Sequence, residues 1–473
     1  SFKKIGAFAF QGSGLEAIKI RENVTEIGND AFEGCVALGS INFSEATSLK
    51  KIGNSAFANC YAEDAEGNAI SGLTAVAIPG AVTTIDPYAF AGCKSLADAD
   101  FSQAAELKSI GTFAFAATAM TTIDLSACPK LAILEANAFP GNAYTSVKLS
   151  GTILDDANFQ NFDFSGATAT LAELTLPGGI DGVGGITYIP SNWFGETKYQ
   201  YTDAEGTHLM PFSALKSLSL PKTVKEIKSF AFQGSGLTAF KVRENVEIIN
   251  NYAFEGCEDL ATVNFSEATA LRIIGKYAFS AAGVKEVAIP ANADDKPLTI
   301  NEGAFADSKL KSFSAKSWEG DLADKLFQNT KLTGIVIPAA ITGIGAYAFD
   351  GCKKLETVTF KHAAKTDKLN FIDDYAFRNC EALTALDLSN TKLTGISAAN
   401  VRVFEGCFSL ATITFPKELT VLGGDGLFAD TPIENFVAED LVACDNLFGM
   451  YLDRDEDSPT FGFYQNRDAK NPN

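Results

Sequence analysis

Apolar residues along this chain fall into three short blocks, and the blocks recur together. One unit, Leu332 to Phe360, reads LTGIVIPAAITGIGAYAFDGCKKLETVTF. Its first block is L-x-x-I-x-I, carried by Leu332, Ile335 and Ile337. Ile335 and Ile337 alternate with a position between them, so they face one way on a strand and Val336 faces solvent. A Pro often follows, as at Pro79, Pro290, Pro338 and Pro416, and ends the strand. The second block, Ile341 to Gly345, predicts another short strand or extended segment. The third, Ala348 to Cys352, has no alternation and ends in Gly-Cys, which predicts a single helical turn.

The Phe of the third block marks the period. It recurs at Phe10, Phe32, Phe57, Phe90, Phe115 and Phe139, more weakly at Phe159 and Phe194, then from Phe232 through Phe254, Phe279, Phe305, Phe327, Phe349, Phe377, Phe404 and Phe428 to Phe448. Seventeen intervals over 438 residues give a mean near 26, the period of leucine-rich repeats. No coil of that length can bury its own apolar face, so neighbouring coils must complete the core. The expected fold is an α/β repeat solenoid: a right-handed coil stack with a concave parallel sheet, short helical turns opposite, and a spine of stacked Phe rings. We expect about eighteen coils in one continuous solenoid over 1–448, irregular at 140–210, with 449–473 as a C-terminal cap or tail. Above the coil lies a longer repeat. Residues 1–58 align without a gap on 223–280, with 35 of 58 positions identical, which implies segmental duplication.

The unit L-x-x-I-x-I-P-x-x-V-x-x-I-G-x-x-A-F-x-G-C-x-x-L resembles the BspA-like class of leucine-rich repeats over nearly the whole chain. The resemblance implies a secreted or surface-anchored bacterial or protozoal protein, with adhesion as the default role. Where the pattern weakens, at 140–210 and in the long inserts, the chain departs from that class.

Composition narrows the chemistry. There are 37 Phe but only 2 Trp and 3 Met, so one residue type fills one position repeatedly. The formal charge of −20 favours solubility and cationic partners, and speaks against nucleic acid or an anionic membrane surface. No apolar run is long enough to span a bilayer. The chain begins at Ser1, inside a repeat and without a signal peptide, so a fragment or processed product is expected and the start says nothing of compartment.

Seven of nine Cys share one repeat position: Cys35, Cys60, Cys93, Cys257, Cys352, Cys380 and Cys407. Ser235, Thr118 and Ser308 fill it elsewhere, so a ladder of buried free thiols is expected rather than a disulfide framework or a zinc site. Cys128 and Cys444 lie at other positions. The two His, His208 and His362, sit in inserts outside any nucleophile or metal motif. Acidic clusters occur at 155–156 and 453–457. The second alternates like calcium ligands but lacks the Gly and distal Glu of the helix-loop-helix calcium pattern. No catalytic residue, metal site or cofactor is assigned.

Two inserts, 61–72 and 195–210, follow the Phe turn and precede the concave strand, so they should emerge on one rim. The second places Trp193, Tyr199 and Tyr201 near Lys198 and His208; these three aromatics are the candidate ligand-binding residues, the alternative being that they cover an irregular coil. The central outward strand positions, from Lys19 and Asn42 to Thr414 and Val437, are small and mixed, without an aromatic ladder. The functional expectation is an extracellular or cell-surface binding protein, adhesin-like, that recognises a protein or glycoprotein such as host matrix or another cell surface. It would use the solenoid surface and rim inserts. The alternative is a stalk or spacer displaying another domain; an enzyme is not expected.

Overall fold

A computed structural model of the chain describes residues 2–140, 142–162, 164–181, 183–194, 200–203, 206–209, 212–361, 368–396, 401–439, 441, 443–444, 450–452 and 464–466. Two compact units are present. The first comprises 1–190, 194–225 and 235–237; the second comprises 191–193, 226–234 and 238–473. Each is a parallel-strand solenoid.

Every regular coil contributes two strands. In the first unit the L-x-x-I-x-I block forms three-residue strands such as Ala75–Ala77, Asp98–Asp100 and Thr122–Asp124, each exposed–buried–exposed. The I-G block forms two-residue strands. Six of them, from Lys4–Ile5 to Ile133–Leu134, build one parallel sheet in which Ile5, Ile27, Ile52, Ile85, Ile110 and Leu134 align in register. The second unit repeats this plan, for example with Gly334–Ile337 beside Thr357–Phe360.

The long-strand sheets are short. Ser40–Asn42 pairs with Ala17–Lys19, and Ala75–Ala77 with Asp98–Asp100, but Ser40–Asn42 and Ala75–Ala77 belong to different sheets. The insert 61–72 enters between those two strands and forms its own antiparallel hairpin, Tyr61–Glu63 against Ala69–Gly72.

The third block is not helical, contrary to the sequence expectation. In coil after coil the residues two before and two after the Phe adopt left-handed backbone: Asp30 and Gly34 flank Phe32, Tyr88 and Gly92 flank Phe90, Tyr347 and Gly351 flank Phe349. A left-handed residue every fourth position turns alternate peptides along the stack. The amides of Asp30, Phe32 and Gly34 therefore donate to Asn54, Ala56 and Ala58 of the next coil, at 2.8 Å each. Those donors are unavailable for the i→i−4 bonds a helix needs. The block is a ladder of turns, hydrogen-bonded from coil to coil. Among the described residues, helix is confined to the irregular region, at Asp156–Phe159 and Ser165–Ala167.

The Phe spine forms as expected. Phe10, Phe32, Phe57, Phe90, Phe115 and Phe139 stack nearly parallel, with centroids 5.0–5.4 Å apart. One member differs from the sequence series. Phe162, not Phe159, stacks on Phe139 at 5.6 Å, because Phe159 ends the short helix and points elsewhere in the core. In the second unit Phe254 lies between Phe232 and Phe279 at 5.0 Å on each side. Residues on or just after the long strands, such as Phe101, Phe240 and Phe313, meet this spine at steep angles, closing the core from the sheet side. Phe448 lies outside the described residues.

Candidate binding surfaces

Strand alternation fixes which side chains the long-strand face presents. The outward central residues are exposed or half-exposed throughout, from Lys19, Asn42, Ala77, Asp100 and Asp124 to Val336, Thr359 and Asp387. Several have a structural duty. The side-chain oxygens of Asn42, Asp100, Asp124, Asn264 and Asp387 accept the amide two residues on, at 2.8–3.0 Å, from Ser44, Ser102, Ser126, Ser266 and Ser389. Each is a side-chain turn that ends its strand. Other charges pair across coils: Lys19 with Glu45 and, at the duplicated place, Lys241 with Glu267, both at 2.6 Å. Exposed pairs of this kind contribute about 0–1 kcal/mol.

Two clefts open in the first unit beside breaks in the long-strand sheet. The larger, of about 690 Å³, lies between Ser40–Asn42 and Ala77–Gly80 and is floored by Phe43, Ala46 and Ile78. The smaller, of about 380 Å³, is walled by Asp98, Asp100, Thr122 and Asp124. Burial opposes ionisation of Asp124, but hydrogen bonds from Ser126 and the nearby Lys148 outweigh it and hold the carboxyl below its usual range.

The insert 61–72 is tied down. Lys94 reaches Glu63 at 2.9 Å and lies 5.2 Å from the Tyr61 ring centre, and Ser71 donates to the Val36 carbonyl at 2.6 Å. The insert 195–210 also contains an antiparallel hairpin, Gln200–Asp203 against Gly206–Leu209, with Tyr201 opposite His208. Of the candidate aromatics, Trp193 is only 4% exposed, so its ring belongs to the interior rather than a rim. Tyr199 lies outside the described residues, as do His362 and the acidic segment 453–458. Tyr201 is placed on the hairpin by its backbone alone. The acidic pair at 155–156 is structural: Asp155 caps the short helix by accepting from the Asn158 amide at 3.0 Å, and Asp156 accepts from the Thr187 amide at 2.8 Å.

All seven thiols of the Cys ladder are buried and free. Burial raises the Cys352 thiol to about 12; the neighbouring Cys93 thiol and burial also push Cys60 up.

In the second unit the structure gathers a basic cleft that linear reading passes over. Lys311, Lys331, Lys353, Lys354, Thr330 and Thr333 line about 430 Å³. Lys331 and Lys354 directly precede the first Leu of successive units, and Lys311 directly follows the same Leu one unit earlier. Comparing those columns between coils would reveal the alignment; scanning for consecutive basic residues does not.

Comparison with known proteins is consistent with this architecture. A family model described as "BspA type Leucine rich repeat region" matches in six copies, over residues 3–70, 67–200, 210–319 and 320–446. No curated protein matches the chain. Similar solved structures include a leucine-rich repeat protein from Bacteroides ovatus, 22% identical, covering 90% of this chain and 79% of that one with a TM-score of 0.37. A leucine-rich cell surface protein from Faecalibacterium prausnitzii is 23% identical over 77% of this chain and 85% of that one, TM-score 0.25. The pneumococcal vaccine antigen PcpA is 18% identical over 76% of this chain and 75% of that one, TM-score 0.27.

Proposed function

Given that the chain belongs to the BspA-type leucine-rich-repeat family, we propose that it is a binding scaffold at the cell surface or outside the cell, with protein or glycoprotein partners on host matrix or another cell. The observation that carries this reading is the division of labour within each coil. Ile, Leu, Phe and Cys point inward and account for stacking, while the outward strand positions and the two insert hairpins are surplus to it. A coil needing only to stack gains nothing from such inserts. No catalytic role is assigned to any residue, and no cofactor is invoked.

Contact is centred on the rim formed by the insert 195–210. Tyr199 and Tyr201 occupy alternate positions there, so on an extended segment both rings point the same way. Interface energy concentrates in a few aromatic and Arg anchors, and the outward strand positions offer small or turn-forming residues instead. The test begins by presenting the intact chain to immobilised matrix proteins and mucins. A captured partner is then titrated with the Tyr199→Ala plus Tyr201→Ala variant. Unchanged melting with affinity weakened by about 2 kcal/mol or more supports the rim. Early melting with normal binding by the folded fraction places the rings in the core and removes the rim proposal. Capture of nothing by the intact chain favours a spacer that displays another domain.

A further inference from the structure

We infer that the basic cleft of the second unit binds a sulfated glycan chain through Lys311, Lys331 and Lys354. Among the described residues none of these three ammonium groups has a carboxylate within 4.0 Å, whereas Lys353 on the same cleft is paired with Glu381 at 2.8 Å. Other lysines of this chain pair with a carboxylate on a neighbouring coil or stand singly, but here three without a carboxylate converge on one cleft in a chain of net charge −20. Solubility does not call for them. At physiological ionic strength charges farther than about 8 Å are largely screened, so the cleft acts on an anion locally despite the overall charge.

The lining selects among anions. It consists of Lys and Thr, without an aromatic ring. Single-stranded nucleic acid needs stacking platforms for its bases, which this cleft does not supply. A bilayer surface is planar, and its headgroups meet projecting basic segments rather than a recess. Lysine stems and threonine methyl groups give apolar walls with ammonium tips, which suit the C–H edges of sugar rings carrying sulfate groups. Lys331 follows Lys311 and Lys354 follows Lys331 along the stack, because Lys331 donates its amide to the Leu310 carbonyl and Glu356 donates to Thr333. The cations thus advance by one coil, about 4.8 Å, at each step. Such a row fits charge repeated along a linear chain better than a single compact anion. Lys is the appropriate cation, since sulfate on a flexible sugar presents point charge rather than a fixed fork for Arg. Glu356, in the column of Lys311 and Thr333, ends the basic row on one side.

This cleft shares no residue with the insert 195–210, so the two proposals fail independently. The test uses the whole chain and a heparin hexasaccharide, titrated by calorimetry at several salt concentrations. Parallel arms use the desulfated hexasaccharide, a short polyuridylate and phosphatidylserine vesicles. Binding of the sulfated sugar is expected, with at least tenfold loss in the triple variant Lys311→Gln, Lys331→Gln, Lys354→Gln. The salt slope should fall by about one for each lysine removed. Glu356→Lys should strengthen binding, a gain that misfolding does not produce. The inference is overturned if the sulfated sugar does not bind, if the triple variant binds it equally well, or if polyuridylate or vesicles bind the lysines as tightly as the sugar does. Tyr199→Ala plus Tyr201→Ala should leave this affinity unchanged; a loss there would assign the sugar to the rim instead.

Discussion

The Sγ of Cys93 donates to the carbonyl oxygen of Phe57, 3.0 Å away in the preceding coil. All seven ladder thiols do the same: Cys35 to Phe10, Cys60 to Phe32, Cys257 to Phe232, Cys352 to Phe327, Cys380 to Phe349 and Cys407 to Phe377, at 3.0–3.3 Å. The position thus commonly holds a small donor, although Ala282 fills it in the coil of Phe279. Hydroxyls at the same position bond in two ways: Ser308 donates to Phe305 and Thr118 to Phe115 of their own coils, at 2.7 and 3.0 Å, while Ser13 and Thr330 meet the Cys35 and Cys352 thiols of the next coil at 3.3 and 3.2 Å. The Cys93→Ala change should cost about 1–3 kcal/mol, because a buried carbonyl loses its partner. Cys93→Ser should not restore that bond, since a hydroxyl here turns to the Phe of its own coil as Ser308 and Thr118 do, so its cost should be similar. Denaturant melts of the two variants check this; a Cys93→Ser variant as stable as wild type would show that the carbonyl of Phe57 does not depend on the thiol.

The ladder thiols should resist alkylation in native buffer and react once unfolded. Cys352 also links stability to pH. Its folded value near 12 lies above the ordinary thiol value of 9.0. The folded state thus keeps a proton that the unfolded chain gives up, and this contribution is complete below about pH 9 and lost as pH rises toward 12. Melts across that window should show stability declining for the wild type and less steeply for Cys352→Ser. Identical slopes, or rapid native labelling of the ladder, would contradict the assignment.

Phe254→Ala removes a ring stacked on both sides and fully buried. The expected cost is about 3–5 kcal/mol. Because coils support their neighbours, hydrogen exchange should rise around 232–279 before it rises elsewhere. A melt within a degree of wild type would remove Phe254 from the load of the core.

Asp350 is 5% exposed at its side chain and is held by Arg378 through two contacts of 2.8 Å and by Gln328 at 3.0 Å. The guanidinium also lies 4.7 Å from the Tyr375 ring centre and 5.4 Å from that of Tyr347. Arg378→Ala strands a buried carboxylate and should cost about 3 kcal/mol or more. Arg378→Lys should recover little, since an ammonium cannot form both bonds and stack. Arg378→Ala together with Asp350→Asn should be milder than Arg378→Ala alone. If the double variant is the weaker one, the carboxylate charge is not what makes the single change costly.

The sequence by itself determined the period, the inward residues of each strand, the Phe spine and the Cys column. These follow from short-range alternation and from one residue type recurring at one place, and both are visible along a line. The tertiary structure decided what depends on the fit of one coil against the next. Left-handed residues on both sides of each Phe send amides across the stack, so a segment that reads as a helical turn becomes a turn ladder. A short helix shifts the spine from Phe159 to Phe162 in the irregular region. Asp100 and Asp124, outward positions on their strands, are occupied in ending them. Trp193, in a segment that reads as a loop, is buried. Lys311, Lys331 and Lys354 stand twenty or more residues apart in the chain, and only the stacking of coils brings them to one cleft. Local pattern specifies which way a side chain points, but which charges share a surface is set by coil-to-coil register.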